Sequence, residues 1–141
     1  MLSPHDFLLG RIGIEQGMFN QVDLKRAQSR VVERASRGQN TPLSVVLKQL
    51  GILNEPQRSG LERAARYRAD RDADRRLGSL MVESGYAEQA AVDGAMREQK
   101  THYSQTGEMR RLGDLLIGDR LITPAQRMAA EQLLKLQSRA S

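Results

Sequence analysis

The sequence predicts an all-α protein made of four tandem helix-turn-helix repeats of about 34 residues, arranged as a duplicated two-hairpin bundle. Three observations carry this. The segment LGRIGIEQGMFN from Leu9 returns as LSVVLKQLGILN from Leu43, as LGSLMVESGYAE from Leu77 and as LGDLLIGDRLIT from Leu112, with starts 34, 34 and 35 residues apart. A glycine recurs at one place in three copies, as Gly17, Gly51 and Gly85. Apolar residues follow helical spacing on both sides of it. Repeats of this period are stacked helical pairs, because one pair cannot bury its apolar face without a neighbour.

Each copy reads as a short helix, a tight turn and a longer helix. Ser3 is a capping residue, Pro4 suits the first helical position and Asp6 favours the positive helix end, so a short helix is expected from there to Gln16. Gly17, Gly51 and Gly85 then close their short helices in the left-handed conformation, which costs a glycine nothing. The fourth copy has Arg120 there. Two apolar residues follow (Met18-Phe19, Ile52-Leu53, Leu121-Ile122), and then the second caps, Asn20, Asn54 and Thr123. Gln57 and Gln126 stand three residues beyond their caps, in capping-box register. The third copy has the weaker Tyr86-Ala87 and Glu88.

The long helices are expected at 21–37, 55–74, 89–103 and 124–138. Val22, Leu24, Ala27, Val31 and Val32 outline an apolar stripe on the first, and Val92, Ala95, Met96 and Gln99 on the third. Leu43, Val46, Leu47 and Leu50 do the same for one short helix, and Leu77, Leu80, Met81 and Val82 for another. These faces are expected to form one continuous core. In 62–76, 10 of 15 side chains are charged, which reads as a solvated linking helix; SQTGEMR, 104–110, reads as a loop. Copies one and three resemble each other, as do two and four. The expectation is a single domain, 1–141, with halves 1–68 and 69–141.

Composition narrows the function classes. The 141 residues suffice for a packed core, and the absence of cysteine excludes disulfides and thiolate metal sites. No apolar run approaches the roughly 20 residues that span a bilayer, and the start lacks the basic and apolar regions of a signal peptide. A cytoplasmic location is therefore expected. Net charge is +5, and it is uneven: 1–68 holds 11 basic and 6 acidic side chains, 69–141 holds 11 of each. Such a field suits an acidic protein, phosphate groups or nucleic acid, or simply keeps the chain in solution. His5 and His102 are far apart in sequence, no nucleophile stands in a triad context, and there is no phosphate-binding loop, so no enzymatic activity and no metal are expected.

The sharpest motif lies in copy three: Arg76-Leu77-Gly78, Met81-Val82, Gly85, Val92, Met96 and Gln99. It resembles the N-terminal domain of type II secretion and type IV pilus assembly ATPases, known as MshEN, and the outline recurs in all four copies. That resemblance implies a cyclic di-GMP site formed by two tandem motifs, here Arg76, Leu77, Gly78, Val92, Met96 and Gln99 completed by Arg111, Leu112 and Gly113. The chain departs from the pattern in copy four, with Arg120 for the glycine, Arg127 and Glu131 for spaced apolars and Leu134 for the glutamine. Copies one and two offer Leu8 and Pro42 in place of the arginine, and the separation of the two motifs is longer than the family's. The 141 residues hold no counterpart of the ATPase that follows the domain in the family, so the resemblance implies no hydrolytic activity.

Three readings follow. The first is a non-catalytic helical adaptor that needs no cofactor and binds a protein partner in a bacterial secretion, type IV pilus, motility or polarity assembly. The second is a receptor with cyclic di-GMP as regulatory ligand. DNA binding is third, disfavoured by the scarcity of aromatics and by acids interspersed among the arginines.

Overall fold

The computed structural model describes residues 2–140, the Ala140 side chain excepted. Among the described residues the chain is all-α, with seven helices and no strand: α1 (Pro4–Glu15), α2 (Gln21–Ser36), α3 (Leu43–Gln49), α4 (Glu55–Glu83), α5 (Gln89–Thr106), α6 (Leu112–Gly118) and α7 (Pro124–Ala140). It divides into two compact units, Met1–Arg68 and Ala69–Ser141. None of the described helices is long and apolar enough to cross a membrane.

Local chemistry sets most helix ends where the sequence puts them. The Ser3 hydroxyl accepts the Asp6 N–H at 3.0 Å, closing a capping box at α1. Asn20 Oδ1 accepts the Asp23 N–H, and Asn54–Gln57 and Thr123–Gln126 form reciprocal pairs at the starts of α4 and α7. Glu88 caps nothing with its side chain. Gly17, Gly51 and Gly85 have φ of 69°, 75° and 75°, and Arg120 takes the same left-handed conformation at 58°. At each of these joints the next residue donates its N–H to the carbonyl five residues back, Met18 to Gly13, Ile52 to Leu47, Tyr86 to Met81 and Leu121 to Leu116.

Three expectations about helix extent and packing need correction. Instead of a helix ending at Asp74 and another starting near Leu77, α4 runs unbroken for 29 residues. Nothing between Leu61 and Gly78 breaks a helix, whereas Ser3-Pro4, Thr41-Pro42 and Gly107 punctuate the other three entries. Likewise α5 continues through Thr106 into the expected loop and stops at Gly107, in left-handed conformation at φ 74°. The buried apolar residues form two clusters, not one continuous core. The first centres on Leu9, Leu24, Ala27, Leu43, Leu47 and Leu61, and the second on Leu77, Met81, Val92, Met96, Leu112 and Leu116.

α2 departs from its expected stripe. Leu24, Ala27 and Val31 are buried, but Val22 is 74 % and Val32 50 % exposed. At about 100° per residue Val22 lies on the far side of the helix from Leu24.

The joints make a prediction of opposite signs. Gly85→Ala must hold a Cβ in the left-handed region and is expected to lose about 1 kcal/mol, whereas Arg120→Gly removes that strain and leaves stability unchanged or raised. Chemical denaturation of the two variants checks it.

Candidate functional site

The site begins with an aspartate in the middle of α4. Asp74 is 1 % exposed, although the sequence places it in a run read as solvated. Its neighbours supply the hydrogen bonds that a buried carboxylate needs. α6 has no cap of its own, because its N-cap residue is Arg111, and the Leu112 N–H donates instead to Asp74 Oδ2 at 3.0 Å. Gln99 of α5 donates Nε2 to the same oxygen at 2.7 Å. The Arg111 guanidinium donates Nη2 to Oδ1 at 2.9 Å and Nε to both oxygens at 3.2 Å. One carboxylate thus ties three segments together, and its lone pairs are filled.

The network continues on either side. Arg111 Nη1 reaches Asp70 at 3.3 Å, and Arg71 Nη1 donates to Gln99 Oε1 at 3.1 Å and to the Met96 carbonyl at 2.8 Å. Gln99 Nε2 also donates to the Arg110 carbonyl at 2.7 Å. Hydrogen bonding to Asp74 raises the pKa of Arg111 above its ordinary value, outweighing the burial that lowers it, with further help from the charges of Asp74 and Asp70.

The first unit repeats the central device at matching positions. Asp6 stands 68 residues before Asp74, is also buried, and accepts the Leu43 N–H at the start of α3 with Oδ1 at 3.2 Å. Pro42, the N-cap residue of α3, supplies no side-chain cap. Around this shared core the units diverge: Val31 and Pro42 stand where the second unit has Gln99 and Arg111. The polar cluster of the first unit instead joins buried Ser44, whose Oγ donates to Glu62 Oε1 at 2.6 Å, to His5, whose Nε2 lies 2.8 Å from Glu62 Oε2. Burial raises the Glu62 pKa, but the bonds from Ser44 and His5 and the charges of His5 and Arg66 outweigh it, leaving the carboxyl below its ordinary value. Glu62 thus lies between the hydroxyl and the imidazole and joins the two.

Seven of the nine residues singled out by the motif are buried: Leu77, Gly78, Val92, Met96, Gln99, Leu112 and Gly113. Their packing is mutual. A Cβ on Gly78 would meet Val92 Cγ1 at 2.6 Å and Leu112 Cδ2 at 3.2 Å, so this glycine lets α4 approach α5 and α6. A Cβ on Gly113 would strike the Arg127 guanidinium, which Asp114 and Glu131 hold over it. Gln99 is 0 % exposed and its amide is spent on Asp74, Arg110 and Arg71. Arg111, half-exposed, is bound to Asp74 and Asp70. Arg76 alone of the nine is exposed, and it makes no hydrogen bond or ion pair with the described residues.

Sequence reasoning misses Asp74 and Asp6 as buried caps of other helices: it places Asp74 in a solvated run and gives Asp6 a role only at the start of its own helix. The available signal was Asp-x-x-Leu-Gly, present as Asp6 to Gly10 and Asp74 to Gly78 in copies one and three and absent from copies two and four, whose short helices receive the caps. Among the described residues no group of three or more His, Asp or Glu is placed to hold a metal ion.

Removing the Asp74 carboxylate takes the acceptor from the Leu112 N–H, the main partner from Arg111 and one of two acceptors from Gln99. Asp74→Ala is therefore expected to cost about 3–5 kcal/mol. Asp6→Ala, which uncovers backbone N–H groups but neither a guanidinium nor a buried amide, should cost a smaller 1–3 kcal/mol or so. Urea unfolding of both variants checks the order.

No family model, curated protein or solved structure matches the chain.

Proposed function

We propose that the chain is a non-catalytic helical adaptor, built as four tandem helical hairpins, that binds a protein partner in a bacterial secretion, type IV pilus, motility or polarity assembly. The architecture is supported by the left-handed residue and five-residue-back hydrogen bond at Gly17, Gly51, Gly85 and Arg120. The assembly context rests on the resemblance to the secretion and pilus ATPase domain. The observation that carries the binding role is the outer face of α7. Met128 is 63 % exposed and Leu136 60 %, with Leu133 and, before the helix, Leu121 also exposed. Ala125, Met128, Gln132 and Leu136 follow one another at three- and four-residue steps, with Lys135 and Arg139 exposed beside them, so the face is an apolar stripe with a basic edge, suited to a partner helix or groove.

Site-specific photo-crosslinking in the organism's own cells tests this reading. A crosslinker at Gln132 is expected to capture a protein, and Met128→Lys with Leu136→Lys is expected to weaken the recovered complex at least tenfold while helicity is retained. A silent Gln132, or binding indifferent to both lysines, refutes α7 as the binding face.

A second reading, the cyclic di-GMP receptor, is favoured by one specific arrangement. A groove of about 440 Å³ is lined by Val92 and Met96, with Arg75, Ser79, Gln89, Asp93 and Arg97 around them. Arg76, next in the chain to the groove residue Arg75, is exposed and makes no hydrogen bond or ion pair with the described residues. A guanidinium can fork onto a guanine edge or a phosphate, and aliphatic side chains can pack against a base. Titration calorimetry with cyclic di-GMP separates the readings. The adaptor reading expects no heat at millimolar ligand, whereas micromolar binding lost in Arg76→Ala would establish the receptor.

A further inference from the structure

We infer that the outer face of α2 is a docking surface for an acidic amphipathic helix of another protein. The inference rests on the adaptor reading and deepens it, by giving the partner a chemistry and a second point of attachment. It starts from the charges of the first unit. Of its six carboxylates, five are engaged within the unit. Asp6 caps α3, Glu15 pairs with Arg68, Glu33 with Arg37 and more loosely Arg30, Glu55 with Arg58 and Lys48, and Glu62 with Ser44 and His5. Asp23 remains, in the first turn of α2, where it complements the helix dipole. The unit's 11 Arg and Lys therefore exceed its internal partners, and α2 carries part of that excess.

On α2 the excess falls on the side turned away from the core. Lys25 and Arg26 are exposed and make no hydrogen bond or ion pair with the described residues, and Arg30 is 4.0 Å from its only carboxylate. Val22 and Val32 are exposed beyond either end of this group, and Lys25, Gln28, Ser29, Val32 and Glu33 line a shallow surface groove. The strip from Val22 to Val32 is about 15 Å long. Three cations between two aliphatic ends, spread over three helical turns, complement a helix that presents carboxylates in its middle and apolar residues at its ends.

A nucleic acid fits the same surface less well. Proteins that hold a duplex through its backbone neutralise on the order of 6–10 phosphates, and this face offers three cations, two exposed valines and the carboxylate of Glu33.

The test places a photo-crosslinker at Ser29 of the full chain in its own cells, beside the Gln132 crosslinker. The expected result is a protein crosslinked through a segment rich in Asp and Glu. With that protein purified, Lys25→Glu with Arg26→Glu should lower affinity at least tenfold, mainly by slowing association. Reversing two carboxylates of the captured segment to lysine should restore it. Capture of nucleic acid, capture through a segment without acids, or failure of the charge exchange to restore binding overturns the inference. Silence at Ser29 with capture at Gln132 overturns it while leaving the adaptor reading standing; silence at both positions removes both.

Discussion

Capping of one helix by a carboxylate that belongs to another is the constraint from which the rest follows. A seven-residue helix such as α3 or α6 is too short to persist on its own hydrogen bonds, and its first N–H groups need an acceptor. Pro42 and Arg111 cannot supply one. Asp6 and Asp74 can, and because they reach from α1 and α4 they fix where α3 and α6 begin relative to those helices. Apolar packing around Leu43 and Leu112 follows from that placement.

Burying a carboxylate is costly, and the two units meet the cost differently. In the second, a guanidinium and an amide join the backbone donor, so Asp74 is neutralised at full burial and the motif's Gln99 and Arg111 become part of the scaffold. The first unit has Val31 and Pro42 at those places and relies on the Ser3 capping box together with the Leu43 N–H. The divergence bears on function. Gln99 and Arg111, two of the residues that the resemblance would turn toward a nucleotide, are hydrogen-bonded within their own unit, whereas Val92 and Met96 line a surface groove.

Legibility in the sequence tracked the range of the interaction. Turn glycines and the pairs Ser3–Asp6, Asn54–Gln57 and Thr123–Gln126 act within a few residues and were readable as patterns. Asp74 was not, because its partners Gln99 and Leu112 lie 25 and 38 residues further on, and a charged residue within a charged run carries no local mark of burial. Val22 and Val32 show the converse: each is apolar near a true core position, yet Leu24, Ala27 and Val31 already fill the inward face. Continuity of α4 was hidden because repeat alignment places a boundary at Leu77, whereas Gly78 lies inside the helix, with helical conformation, and serves close packing against Val92 and Leu112.

The position of Asp6 has a practical side. It lies in the first turn of α1 yet secures a helix that starts 37 residues later. Trimming the chain by six residues would therefore loosen α3 from a distance, with damage out of proportion to the length removed. The first turn of α1 thus belongs to the support of α3 as much as to its own helix.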